Sequence, residues 1–367
     1  MINIPPITRP TLLVDEERCR LNIVQMAKKI TASGSTFRPH FKTHQSIEVG
    51  RWFRDAGIVK ITVSSVSMAE YFAEEWNDIT IAFPVNILEA ERINDLAGRI
   101  DLNILVESDN IIPSLNGKIK SELGFFIKID TGYHRTGIDA DDRKKIDAVL
   151  DEAGKYENFI FKGFLSHSGH TYHAKDRADV TRIYNDAAGK LKVLREWYSG
   201  KYPGIIASLG DTPSASVVED FRGIDELRPG NFIFYDLMQM QAGNCLPDQI
   251  AVKMACPVVA VHPERSELVI YGGAVHLSKD LLFNERYGTY YGVVLDQKDG
   301  TITNIIDGMF LSSLSQEHGI VKVPPEIVHL FSPGDILTII PVHSCLTADL
   351  ASYYLSTNGS RIEKFID

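Results

Sequence analysis

The sequence predicts a mixed α/β chain: an N-terminal (β/α)8 barrel of the TIM type over residues 11–247, then a C-terminal antiparallel β domain over residues 248–367, joined by residues 1–10. Three observations carry that expectation. A strand-then-helix unit recurs about eight times within roughly 240 residues, which is the size of such a barrel. No glycine-rich turn follows the first strand, TLLVD, which runs straight into DEERCR, so the competing doubly wound dinucleotide-binding sheet lacks its signature. Beyond about residue 247 the helical patterns give way to short apolar runs separated by turn residues.

Taken in order, TLLVD precedes the helical stretch Glu16–Ala32, TFRPHFK precedes SIEVGRWFRDAG, and IVKITVSS precedes SMAEYFAEEW. DITIAFPVN is followed by ILEAERINDLAG, and IDLNILVES by a weaker helix. GFFIKID comes before DDRKKIDAVLDEAG, and FIFKGFLSHS before a long helical pattern from Lys175 to Tyr198. GIIASLGD and ELRPGNFIFYD close the series. Strands separated by helix-length segments call for parallel pairing through right-handed crossovers. In the last third, VKMACPVVAVH, ELVIYGG, YYGVVLD and DILTIIPV have strand character, and the DG of Asp299–Gly300 and the SPGD of Ser332–Asp335 are turn signals between them.

The chain has 367 residues, with 48 acidic and 38 basic side chains and a net charge of −10. That balance argues against a nucleic-acid surface, which needs a clustered basic stripe. The KK at 28–29 and RKK at 143–145 read as solvated helix faces. No apolar run approaches the length of about 20 residues that spans a bilayer. MINIPPITRP has neither the basic nor the apolar region of a secretory leader. Cys19, Cys245, Cys256 and Cys345 show no framework spacing, so free thiols in a cytoplasmic protein are expected.

In parallel barrels the reactive groups sit at the C-terminal ends of strands. Polar residues recur there: Lys42 after TFRPHF, Arg135 after FFIKIDTGYH, His167, His170 and Tyr172 after FKGFLS, Ser208, Gly210 and Thr212 after GIIA, and Tyr235 after RPGNFIF. Any one of them reads equally well as a helix cap; five in succession on one rim point to a site. SLGDTPS offers backbone N–H groups, two hydroxyls and a glycine permitting close approach, which is how a phosphate is held without a cationic clamp. The PGN turn at 229–231 adds a second glycine turn near the same rim. A lysine nucleophile needs a lowered pKa, which partial burial of Lys42 at its strand end would supply. Phosphate on one side and a lysine on the other imply pyridoxal phosphate.

At this point PHFKTHQ, DTGYHRTG, HSGHTY, SLGDTPS, ELRPGNFIFYD, SQEHG and PVHSCLT stand in the order found in the D-threonine aldolase and D-serine dehydratase family, which the chain resembles over nearly its whole length. These are fold-type III pyridoxal phosphate enzymes related to alanine racemase. The resemblance implies that Lys42 is the Schiff-base lysine and that Arg135 lies near the phenolic oxygen of the cofactor. It also implies that Tyr172, Ser208, Gly210, Thr212, Gly230 and Asn231 surround its phosphate or ring. His343 and Cys345 match the metal pair of the family. Two ligands one residue apart on an extended segment point the same way, and imidazole with thiolate suits zinc. D-threonine aldolases typically carry aspartate in place of this cysteine, which tilts the expectation to the dehydratase. The chain departs from the family's Asp-x-Gly-x-Lys-Ala stretch, reading YGGAVHLSKD with Tyr271, Val275 and His276. Without an acidic–basic pair to join, His276 reads as a satisfied polar group.

The resemblance thus implies a zinc-assisted lyase of a D-configured 3-hydroxy amino acid, with Lys42 taking the α-proton and a 2-oxo acid and ammonia leaving. The aldolase alternative breaks the Cα–Cβ bond instead, with His167 or His170 as base at the β-hydroxyl. A racemase would need a second base, a role open to Tyr287, Tyr290 or Tyr291. A non-catalytic cofactor carrier would lack the β domain. By analogy with the family, a homodimer is expected.

Overall fold

A computed structural model describes residues 6–298 and 301–366. The chain divides into two compact units, Ile23–Phe232 on one hand, and the residues up to Asn22 with Ile233–Ile366 on the other. The division falls inside the helix Glu16–Ala32.

The first unit is the predicted barrel. Its strands are Thr36–Phe37, Lys60–Val63, Asp78–Pro84, Asp101–Val106, Leu123–Asp130, Phe159–Ser166, Ile206–Leu209 and Glu226–Leu227, all paired in parallel. The last strand pairs with the first, Glu226 opposite Thr36 and Leu227 opposite Phe37. The ring closes through one parallel bridge between His40 and Thr62. There the Phe41 N–H donates to the Thr62 carbonyl at 2.8 Å and the Thr62 N–H to the Pro39 carbonyl at 2.9 Å. Strand Leu123–Asp130 is buried at every position but its last, as a parallel strand covered on both faces must be. Between strands, Ser46, Asp142 and Asp176 cap the helices Ile47–Asp55, Arg143–Ala153 and Arg177–Tyr198 by accepting backbone N–H groups of the first turn. Each cap contributes about 1 kcal/mol. The longest of these helices buries Val180, Ile183, Tyr184, Ala187, Leu191, Leu194 and Tyr198, one stripe at helical spacing. The weaker helix predicted after IDLNILVES is a short one, Ile111–Leu115.

The second unit is a nine-stranded sheet in the order Glu267–Tyr271, His318–Lys322, Thr301–Leu314, Gly292–Lys298, Ile336–Pro341, Val252–His262, Thr11–Val14, Tyr353–Ser356, Arg361–Glu363. Val252–His262 also pairs with Glu267–Tyr271, which curls the first six strands into a barrel of their own. The pairings are antiparallel as predicted, except that Thr11–Val14 runs parallel to Tyr353–Ser356. The SPGD turn is present, with the Asp335 N–H donating to the Ser332 carbonyl at 3.1 Å and the Ser332 N–H to Asp335 Oδ2 at 2.7 Å. The Asp299–Gly300 turn signal lies outside the described residues.

One strand is placed differently from the sequence reading. TLLV, which opens the β/α alternation, pairs antiparallel with Val252–His262, Thr11 opposite Ala255, and is not a barrel strand. All four of its residues are buried. A continuous apolar run reads the same in a parallel barrel and in the middle of a curled sheet, so period alone could not separate the two. The barrel takes instead the two-residue strands Thr36–Phe37 and Glu226–Leu227 as neighbours.

Candidate active site

Lys42 lies on a turn directly after the bridge that closes the barrel. Phe41 anchors that turn. It is fully buried, with ring centroids 4.4 Å from His44, 5.0 Å from Phe53 and Phe72, and 5.3 Å from Trp76. Burying a phenylalanine contributes about 1.5–3 kcal/mol. The residue after the anchor faces the other way, and Lys42 is exposed. The partial burial expected of it is therefore not found.

The 229–231 glycine turn packs against the Lys42 turn on one side and the 208–212 turn on the other. The His40 N–H donates to the Pro229 carbonyl at 2.9 Å, and a Cβ on Gly230 would stand 2.9 Å from the His40 oxygen and 3.1 Å from Thr43 Oγ1. The Gly230 N–H donates to Thr212 Oγ1 at 3.3 Å, joining the PGN turn to SLGDTPS. A Cβ on Gly210 would meet Arg228 Cβ at 2.7 Å. Lys42, Gly210, Thr212, Gly230 and Asn231 are thus carried by three turns linked through the middle one. One expectation needs amending. The Ser214 N–H, read as open to a phosphate, is capped by Asp211 Oδ1 at 2.7 Å, which also accepts the Thr171 hydroxyl at 2.9 Å. Burial pushes the Asp211 carboxyl up to about 6. The Ser208 hydroxyl is likewise engaged, donating to Glu226 Oε1 at 2.7 Å and accepting from Arg228 Nε at 2.8 Å.

His167 follows the strand Phe159–Ser166, and its Nδ1 donates to the Gly210 carbonyl at 2.5 Å. Burial, with the charges of Lys42, Arg135 and Arg228, holds its pKa well below the ordinary histidine value despite that hydrogen bond. The ring is therefore neutral, with Nε2 left as its proton acceptor. His170 stacks on Tyr133, ring centroids 5.9 Å apart, and its pKa is lowered by burial. Its buried Nδ1 has no hydrogen-bond partner among the described residues. Tyr172 is half-buried on the same short helix, Gly169–His173. Arg135 is exposed on a loop organised by Asp130, whose Oδ1 accepts the N–H groups of Gly132, Tyr133 and His134 at 2.9, 3.0 and 3.0 Å.

Two buried cations were not singled out from the sequence. Lys128 donates to the Ile129 carbonyl at 3.0 Å, and burial with the charges of Arg228 and Arg135 lowers it to about 7. Burial lowers Arg228 to about 10, and its carboxylate neighbour Glu226 is shared with Arg38. The one available signal was a lone cation in the apolar strand FFIKID; in ELRPGN the arginine was passed over for the glycine and asparagine after it. Buried like charges raise one another's cost. An anionic group fits this rim on that ground.

In the other unit, His343 is the extended N-cap of the helix Ser344–Leu350, and Cys345 lies in its first turn. The segment is thus not extended throughout, because Asp236 Oδ2 accepts both the Ser344 N–H at 2.9 Å and its hydroxyl at 3.1 Å and starts the helix there. The two side chains still converge. Burial alone would lower the His343 imidazole, but hydrogen bonds to Asp280 and Cys345, with the charges of Cys345 and Asp236, raise it to about 10. Cys345 is half-buried, whereas Cys19, Cys245 and Cys256 are buried free thiols. In the same unit, buried Tyr235 has a left-handed φ of 47°. His276 accepts the Gly273 N–H at Nδ1, 3.2 Å away, and packs edge-on against Tyr271, a satisfied polar group as expected. Val275 is part-exposed. The Tyr290 hydroxyl donates to Gln241 Oε1 at 2.7 Å, and Tyr287 stacks on Phe310.

Residues 14–237 match the family model described as alanine racemase, N-terminal domain, and residues 251–357 match a putative serine dehydratase domain. A D-serine dehydratase of Dictyostelium discoideum is 29% identical, the match covering 97% of this chain and 95% of that protein. The solved structure of D-threo-3-hydroxyaspartate dehydratase from Delftia sp. HT23 superposes with a TM-score of 0.91 at 26% identity, covering 98% of each chain. That enzyme has also been solved as a histidine-to-alanine mutant and as a cysteine-to-alanine mutant two positions further on, the latter in a metal-free form. D-threonine aldolase from Filomicrobium marinum shares the fold, with a TM-score of 0.76 at 19% identity over 98% of this chain and 97% of that one. The chain belongs to the alanine racemase N-terminal domain family, with a serine dehydratase-type domain following it in sequence.

Proposed function

We propose that the chain is a lyase of D-configured 3-hydroxy amino acids that works as a dehydratase, releasing a 2-oxo acid and ammonia, with pyridoxal phosphate and zinc as cofactors. The observation that carries this reading is the 229–231 glycine turn joining the Lys42 turn to the 208–212 turn, beside the buried cations Lys128 and Arg228. The dehydratases that match over 97% and 96% of the chain support the substrate class. The His-x-Cys spacing of His343 and Cys345 is that of the two mutated positions in the Delftia enzyme, which supports the metal pair.

Lys42 would join the cofactor's aldehyde. Gly210, Thr212, Gly230, Asn231 and Tyr172 would hold its phosphate or ring, with Ser208 bracing Arg228 behind them and Arg135 near its phenolic oxygen. When bound, the cofactor draws electrons from the α-carbon and the metal acts as a Lewis acid toward a β-hydroxyl. Once the substrate's amine has displaced it, the exposed Lys42 amine, on a turn fixed by Phe41, would take the α-proton. His167, tied to the Gly210 carbonyl through Nδ1, keeps Nε2 as a neutral proton acceptor. A second reading, retro-aldol cleavage to glycine and an aldehyde, would use His170 as base at the β-hydroxyl, its Nδ1 having no hydrogen-bond partner among the described residues. Of the three tyrosines open to a racemase, Tyr290 has its hydroxyl tied to Gln241. The described residues contain no helix long and apolar enough to cross a membrane. A cytoplasmic homodimer completes the proposal.

The test is product analysis: enzyme with zinc and D-serine, D-threonine or D-3-hydroxyaspartate, assayed for 2-oxo acid against glycine. Oxo acid with ammonia is expected. Glycine would move the assignment to the aldolase, and neither product from any of the three would discard the lyase.

A further inference from the structure

Asp280 closes the YGGAVHLSKD stretch, 63 residues before His343, and its Oδ2 lies 2.6 Å from His343 Nδ1. The backbone around His343 is fixed by other groups. Met238 N–H donates to the Val342 carbonyl at 3.1 Å, and Asp236 holds Ser344. The Thr347 hydroxyl donates to the Leu277 carbonyl at 3.2 Å and to the His343 carbonyl at 3.0 Å, tying the metal-pair helix to the stretch that carries Asp280. The orientation of the imidazole is left to its side-chain partners, Asp280 and Cys345. A second, independent feature concerns the chain leading to Asp280. Ser278 has φ 68° and ψ 179°, a conformation that side-chain-bearing residues rarely adopt. Such a residue is strained and persists where its surroundings over-determine it. Here the Ser278 N–H donates to the Ala274 carbonyl at 3.0 Å and its hydroxyl accepts the Asp280 N–H at 3.2 Å, so the strained residue aims the carboxylate.

We propose that Asp280 is the positioning residue of the metal pair: it accepts the Nδ1–H of His343, fixes one tautomer, and leaves Nε2 as the atom that faces the metal beside the Cys345 sulfur. This rests on the reading that His343 and Cys345 hold a metal ion. A carboxylate–histidine–metal relay makes the imidazole a better and better-aimed donor, and losing the outer partner costs about 10–100-fold in metal affinity or activity.

Cobalt(II) titration of the full chain, stripped of metal, separates the two claims. Wild type should develop a thiolate-to-cobalt charge-transfer band that Cys345→Ala lacks; no band in wild type overturns the metal reading and this proposal with it. In Asp280→Ala the titration midpoint should move up by about 10–100-fold, with the thiolate-to-cobalt band still reached at saturating cobalt. Asp280→Asn, which keeps an acceptor without the charge, should fall between the two and carries the test should the alanine variant not fold. A cobalt titration of either variant that superposes on wild type, while the Cys345→Ala band is lost, overturns the role of Asp280 and leaves the metal pair standing.

Discussion

Lys128 holds an amine inside the barrel wall, where burial and the charges of Arg228 and Arg135 bring it to about 7 from an ordinary value of 10.5. The unfolded chain therefore keeps a proton that the folded chain has released across that window. Stability should rise with pH between the two values, and the cost should be full below the lower one. At about 1.4 kcal/mol for each unit of displacement, the cost is at most on the order of 5 kcal/mol. Lys128→Met should accordingly raise the melting temperature of the cofactor-free chain near pH 6–7, with the gap to wild type narrowing toward pH 10. A gap independent of pH would contradict this. Lys42 was legible in the sequence because FRPHFKTHQ places it after an apolar anchor at a strand end. Lys128 was not, because its role depends on arginines at positions 135 and 228 that only the closed barrel gathers around it. Asp280 was hidden for the same reason, being 63 residues from His343.

Among the elements, the two glycine turns and the short strands beside them do the most to shape the site. Gly230→Ala would drive a Cβ to 2.9 Å from the His40 oxygen, a backbone atom that cannot step aside. Overpacking of this kind costs about 1–3 kcal/mol, and the variant should both melt earlier and lose pyridoxal phosphate faster on dialysis. Unchanged melting and retention would show that the turns do not need this close approach. Arg38 joins the elements on either side, its Nη1 2.6 Å from Asp78 Oδ1 and its Nε 2.6 Å from Glu226 Oε2. Arg38→Met takes one cation from buried Glu226 and half-buried Asp78, leaving Glu226 to Arg228 and Asp78 to Lys60; stability should fall by less than the about 3–5 kcal/mol of a buried pair broken outright, and denaturant unfolding measures it. The β/α alternation made most of the barrel legible. The strands Thr36–Phe37 and Glu226–Leu227 fall inside TFRPHFK and ELRPGNFIFYD but are only two residues long, a length no period records, and TLLV pairs in the other sheet unannounced, because Leu12, Leu13 and Val14 are apolar on both faces alike.

At the scale of the molecule, the change of character near residue 247 announced a second architecture, and the antiparallel sheet that follows has it. The division of the chain at Asn22 and Phe232 was less legible, because residues 11–14 return to the C-terminal sheet through pairing that no local pattern records. The central claim is that Lys42 is the attachment point of pyridoxal phosphate, and borohydride reduction of the reconstituted chain followed by peptide mapping tests it most directly. The reduced cofactor should be found on the peptide containing Lys42 and on no other lysine, and Lys42→Ala should take up none and lose activity by about 10²–10⁴-fold. A label on Lys128 or another lysine, or Lys42→Ala retaining it, would contradict the account.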